Sequence, residues 1–173
     1  MYKNKLIIHL VCVGANNEIG ANNYLLWNIP EDMKFFRETT LGNVCVAGRK
    51  TAESFPSPLK RRIVNVLTME HVRKYGGISK ESDVLLANLE YSVNQSDLLN
   101  TDCIYVIGGQ SVYKATEPYV DQLLITQIDK EYPEADTFYN IPEGFEMVDK
   151  GAWNTSVNGE KYRFTRWESF HFN

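Results

Sequence analysis

A three-layer α/β sandwich is the fold this sequence predicts, with one central, mostly parallel, twisted sheet and an antiparallel hairpin strand at its C-terminal end. Short apolar runs at residues 5–13, 44–47, 63–69 and 102–107 are rich in β-formers and lack polar alternation, the pattern of strands buried on both faces. Helix-type segments separate these runs, which is the crossover that parallel strands need. Two long alternating segments, 145–150 and 161–172, flank Asn158-Gly159, the strongest short-range turn signal.

In chain order, residues 5–13 form the first strand and Gly14 to Asn17 turn the chain. Residues 20–36 read GANNYLLWNIPEDMKFF, a polar loop running through Leu25, Leu26 and Trp27 into a helix over 31–39. Pro30 suits a helix start, and Glu31 and Asp32 suit its positive end. Asp32, four residues before Phe36, lies close to the face covered by the apolar cluster, where desolvation raises a carboxyl pKa. Of the two acids, one should face solvent and the other should not.

The strand 44–47 ends at Gly48, and Arg49-Lys50-Thr51 open a short helix reaching Phe55. A glycine, a basic pair and a hydroxyl at a helix start resemble an anion site, although an ordinary strand–helix junction has the same pattern. Residues 56–59 make a rigid loop, 63–69 a third strand, 70–82 a polar connection, 83–87 a short strand and 89–99 an amphipathic helix. The strand 102–107 runs into Gly108-Gly109-Gln110-Ser111 and a helix over 112–116 ended by Pro118. The paired glycines suit close backbone approach to a ligand, an unusual backbone conformation or a simple tight turn. Residues 122–128 are a further strand and 129–137 an acidic, polar connection.

At 173 residues, with 43% hydrophobic and 23% charged side chains, the chain reads as one domain over 1–173. A net charge of −4 with no long basic run beyond Lys60-Arg61-Arg62 disfavours nucleic acid as a partner. The first apolar run is too short to span a membrane. Cys12, Cys45 and Cys103, an odd number in buried strands with no CxxC spacing, point to reduced thiols, no metal and a cytoplasmic setting. His9, His71 and His171 suggest no base or metal role; His9 reads as a satisfied or half-exposed strand residue.

These pieces together resemble dihydrofolate reductase nearly end to end. The family's WNxPxDxxxF signature is approached by Trp27 to Phe36, its GRxTxES segment by Gly48 to Ser54, its PLPGR loop by Pro58 to Arg62, and its VIGG segment by Val106 to Gly109 followed by Val112-Tyr113. Its later threonine strand corresponds to residues 124–129, with Thr126. Each piece alone is weak, and each residue alone reads as packing or surface; order and spacing make the resemblance specific.

The resemblance implies reduction of 7,8-dihydrofolate to tetrahydrofolate by hydride transfer from NADPH, by a monomer that also binds antifolates. It implies that Asp32 holds the pterin and promotes solvent-mediated protonation at N5, supported by Thr126, with Trp27 near the pterin. Phe36 would face Phe55 and Leu59 across the substrate, Arg62 would take its α-carboxylate, and Leu10, Val11 and Cys12 would line the pterin side. The cofactor would meet Gly48, Arg49, Lys50 and Thr51 at its phosphates and Leu67 and Thr68 near its adenosine half. Cys12, Ile19, Gly20 and Leu25 belong with Ile107, Gly108, Gly109, Gln110, Ser111, Val112 and Tyr113 in the rest of the implied cofactor site, and a cis peptide joins Gly108 to Gly109. Alternatives on the same fold are an NADPH-dependent reductase of a ribosylated pyrimidine in riboflavin synthesis and a non-catalytic binding protein.

The chain departs from the pattern at four places. Leu26 replaces the usual proline before the tryptophan, Ala52 replaces an aromatic residue, Lys60-Arg61 replace Pro-Gly ahead of Arg62, and Met69 follows Thr68 where a hydroxyl residue is common.

Overall fold

The structure is a computed structural model describing residues 1–67 and 81–170, so Thr68 and Met69 lie outside the described residues. The strands are β1 (Leu6–Val13), β2 (Glu18–Gly20), β3 (Val44–Gly48), β4 (Ile63–Leu67), β5 (Cys103–Val106), β6 (Gln122–Ile128), β7 (Thr137–Phe138), β8 (Phe145–Lys150), β9 (Asn154–Thr155) and β10 (Lys161–Ser169). The helices are α1 (Pro30–Thr40), α2 (Arg49–Ser54), α3 (Glu81–Leu98) and α4 (Gln110–Thr116), followed by a 3-10 turn, Glu117–Tyr119.

The main sheet runs in the order β4-β3-β5-β1-β6-β10-β8, with β9 pairing the start of β10. Its first five strands are parallel and the last two pairings antiparallel, so the C-terminal hairpin forms one edge as expected. A bulge falls between Arg166 and Trp167.

The period of two along each strand makes the three layers. Ile7, Val11, Val13, Val44 and Val46 pack with Leu85, Leu89, Val93, Val112 and Tyr113 on the face covered by α3 and α4. Ile8, Leu10, Cys45 and Ala47 pack with Phe35, Phe36 and Phe55 on the face covered by α1 and α2. Among the described residues, no helix is long and apolar enough to cross a membrane.

Two sequence expectations require correction. Residues 83–87 form no strand: they continue the helix expected over 89–99, giving α3 (Glu81–Leu98). Leu85, Leu89 and Val93 recur at four-residue intervals, and all three are buried, so a helical period links the two pieces. The stretch 129–137, expected as an acidic, polar connection, runs at Thr137 into β7, which pairs antiparallel with β2 in a separate two-stranded sheet. Of the three free cysteines only Cys45 is fully buried; Cys12 and Cys103 keep partial exposure.

Candidate active site

Asp32 sits in the first turn of α1, beside Cys12 of β1 and Thr126 of β6, which are register partners across the parallel pair. Burial raises the Asp32 carboxyl above its usual range, while the Thr126 hydroxyl and Cys12 thiol pull it partly back. Burial also pushes the Cys12 thiol well up, and the neighbouring Asp32 carboxylate adds to the effect. The Trp27 indole lies against Cys12 and packs on Tyr132 with ring centroids 5.3 Å apart.

Trp27 Nε1 and Thr126 Oγ1 are both buried without a hydrogen-bond partner of good geometry. Orphaned buried polar atoms are costly. One beside Asp32 and one against its neighbour Cys12 mark a recess suited to a group carrying several donors and acceptors.

Glu31 is the other acid of the pair. Its Oε2 accepts from Ser156 Oγ at 2.7 Å and its Oε1 from Val157 N at 3.0 Å. Asn158 Nδ2 adds a bond to Asn28 O at 2.7 Å. These bonds hold the Glu31 carboxyl below its ordinary range and stitch the start of α1 to the turn between β9 and β10.

Phe36 and Phe55 form opposing walls, stacked with centroids 6.0 Å apart and an interplanar angle of 22°. A planar ring inserted between two others needs about 7 Å, twice a carbon–carbon contact, so these walls must part to admit one. Leu59 and Leu10 belong to the same apolar cluster. Val11 faces the other way: strand alternation sends its side chain into the cluster under α3 and α4, leaving only its backbone for this side.

Arg62 is held by three bonds: Nε to Thr40 Oγ1 at 2.7 Å, Nη1 to Lys60 O at 2.7 Å, and Nη2 to Arg37 O. A guanidinium has five N–H groups, so one remains on each terminal nitrogen, the pair a carboxylate can bridge. The turn before it is made without glycine, because Arg61 takes φ +58°, and its carbonyl accepts from Gly42 N at 2.9 Å.

A second half of the site forms where two glycine turns meet. Gly48 N donates to Gly108 O at 2.7 Å, and a Cβ on Gly48 would lie 3.1 Å from Val112 Cγ2, tighter than an ordinary contact, so glycine eases the close approach. The Gly108–Gly109 peptide is cis, and a Cβ at Gly109 would lie 3.4 Å from Thr51 Oγ1. Ile107 is buried on the α1 side; Lys50, Gln110 and Ser111 are exposed. Arg49 pairs with Glu53, Nη1 reaching both carboxylate oxygens at 3.0 and 3.1 Å. Leu67 packs partly buried against the core. Tyr113 is buried and donates its hydroxyl to Leu10 O at 2.8 Å.

Ile19 and Gly20 lie on β2, and Leu25 lies beyond it, 62% exposed beside Tyr24. Ala21 and Tyr24 exchange backbone bonds of 3.1 and 2.9 Å around Asn22 and Asn23, both left-handed, which makes a tight hairpin of the primed type. Asn22 N also donates to Asp136 Oδ2 at 2.8 Å, so this stretch is constrained independently of Leu26.

How the loop over residues 20–26 is fastened was not foreseen, although Gln110 was named for the cofactor. Glu18 is buried and accepts from Asn16 N at 2.7 Å and Tyr132 N at 2.8 Å, and Gly14 leaves the room it needs. Gln110 Oε1 accepts from Phe138 N at 2.9 Å, tying β7 to α4. Asn16 apart, the partners lie far off in sequence: Tyr132 for Glu18 and Phe138 for Gln110.

A sandwich of this topology, with a single carboxyl set against aromatic walls and a glycine-lined turn at the same sheet edge, defines a reductase-type α/β scaffold. The family model for dihydrofolate reductase matches residues 6–169. The chain is 36% identical over 130 residues to a dihydrofolate reductase of Haemophilus influenzae, covering 75% of this chain and 76% of that one. It is 34% identical over 168 residues to one from Enterococcus faecium, covering 94% and 96%, and 33% identical over 137 residues to one from Mycoplasma genitalium, covering 79% and 84%. The chain belongs to the dihydrofolate reductase family.

Proposed function

We propose that the protein reduces 7,8-dihydrofolate to 5,6,7,8-tetrahydrofolate with NADPH. The observation that carries this reading is the Asp32 carboxyl, its pKa raised by desolvation, beside the Thr126 hydroxyl, with the Trp27 indole N–H across Cys12; neither of those two polar atoms makes a well-formed hydrogen bond within the chain. A pterin edge, with an amino group, a ring N–H and acceptor atoms, matches that set of unsatisfied partners.

In this reading Asp32 accepts from the pterin amino group and ring N–H, and Thr126 steadies the carboxylate. The negative charge of Asp32 favours a proton arriving at N5 from solvent, with Trp27 holding the water; direct transfer from the carboxyl would be poor general-acid geometry. Leu10 O keeps a lone pair beyond the one used by Tyr113, available to an amino group of substrate or antifolate. Phe36, Phe55 and Leu59 enclose the ring system, and the two spare N–H groups of Arg62 take the tail carboxylate.

The cofactor supplies the hydride. Gly48, Thr51, Gly108 and Gly109 fit it by leaving backbone open where two turns approach, with Arg49 and Lys50 at the rim for phosphate. Tyr113 and Cys12 border the side where nicotinamide and pterin would meet. The test is loss of NADPH absorbance on adding dihydrofolate to purified protein, with NADH in parallel. No change at high protein concentration overturns the proposal.

A further inference from the structure

His9 is a buried histidine that the proposed chemistry does not use. It lies in the central strand β1, 1% exposed, with Nε2 2.8 Å from Thr116 Oγ1 of α4 and Nδ1 3.0 Å from the hydroxyl of Tyr139. The proton positions follow from the partners. Thr116 has one hydroxyl proton, already given to Val112 O at 2.8 Å, so Nε2 must be the protonated nitrogen and Nδ1 must accept from Tyr139. In this neutral form both ring nitrogens are satisfied, and burial, which disfavours the charged form, pushes the pKa down to about 3. Tyr113 packs on both rings, its centroid 5.1 Å from His9 and 5.0 Å from Tyr139.

Tyr139 directly follows β7, and its backbone N–H donates to Asn17 O at 2.9 Å, extending the pairing of β7 with β2. The flap over residues 20–26 grows out of β2. A polar chain therefore runs from the helix that begins at the glycine turn, through the central strand, to the base of the flap. An apolar residue at position 9 would fill the space, but it would link nothing.

We propose that His9 is a positioning residue whose bond to Tyr139 latches the β2–β7 sheet, and with it the flap, to the body of the protein beside α4. The inference rests on the reading that places Ile19, Gly20 and Leu25, at the base and tip of that flap, in the cofactor site. Latch failure frees the flap, which loosens the grip on the cofactor without touching the substrate half around Asp32.

The test compares Tyr139→Phe, His9→Leu and the double variant with the wild-type protein by limited chymotryptic cleavage at the exposed Tyr24 and Leu25, and by NADPH titration. Loss of one buried hydrogen bond predicts cleavage about fivefold faster, with similarly weaker NADPH binding, in either single variant. The double variant should be no worse than His9→Leu, and KM for dihydrofolate should stay unchanged. Should His9→Leu fail to fold, Tyr139→Phe, which removes one hydroxyl, carries the test alone. Unchanged cleavage and NADPH affinity in Tyr139→Phe overturn the latch. A wild-type protein that lacks reductase activity fails the functional proposal instead, because cleavage needs no turnover.

Discussion

Ser156 Oγ donates to Glu31 Oε2 at 2.7 Å across 125 residues of sequence, fastening the first turn of α1 to the C-terminal hairpin. The bond separates two adjacent acids into different trades: Glu31 holds the helix in place, while Asp32 is left free to face the recess. Because the Glu31 pKa is lowered in the fold, its contribution is present above the unfolded value of 4.5 and is lost as pH falls through the folded one. Ser156→Ala should lower the thermal midpoint at pH 7, and the difference from wild type should shrink in acid. Calorimetry across pH checks both.

Asp32 has the opposite sign. Its folded pKa is raised, so the ionised form is disfavoured by folding, and stability falls as pH rises through that value. Asp32→Asn should stabilise the ligand-free protein at neutral pH by about 0.5–2 kcal/mol while lowering turnover about 10²-fold or more. Urea denaturation and steady-state rates measured on the same preparation test the pair of effects together. A variant that is both less active and less stable would contradict this account.

His9 should dominate part of the acid sensitivity. Its pKa moves from 6.5 unfolded to about 3 folded, so the unfolded chain binds the extra proton and stability declines as pH drops below 6.5. The slope is about 1.4 kcal/mol per pH unit for a single such group. Denaturant midpoints at pH 7, 6 and 5 should fall in wild type, and His9→Leu should flatten that trend.

Arg49 is engaged by Glu53 before any phosphate arrives, both side chains being more than half exposed. Exposed pairs are worth about 0.2–1 kcal/mol, so Glu53→Gln should tighten NADPH binding by up to about fivefold. NADH, which lacks the 2′-phosphate, should respond less, and the gain should fade in high salt.

Arg61 occupies a left-handed conformation that costs an L-residue roughly 1–2 kcal/mol. Arg61→Gly relieves this but frees the unfolded chain, for a net gain of about 0.5–1 kcal/mol. The urea midpoint should rise, with KM for dihydrofolate unchanged.

Much of this architecture is legible in the residue order. The buried runs gave the parallel strands, and Asn158-Gly159 gave the turn of the hairpin. The strand expected at 83–87 failed because Val84, Leu85 and Leu86 make a short apolar run, a pattern shared by buried strands and buried helix turns. The β2–β7 sheet escaped because two- and three-residue strands have no period to read. At the site, Asp32 and Thr126 come together and Trp27 lies against Cys12 beside them, whereas Val11 turns its side chain away. Gln110 was expected at the cofactor, but its bond to Phe138, like the roles of Glu18 and Tyr139, was invisible because it arises between distant segments.

The guanidinium of Arg62 does two jobs at one address. Three of its N–H groups close the end of α1 onto the turn before β4, and one remains on each terminal nitrogen. Lysine could supply charge but neither the stitch nor the fork. Under the proposed function, drift at this position would loosen the scaffold and blunt recognition of a tail carboxylate together, whereas ligands without that carboxylate would register only the loosening.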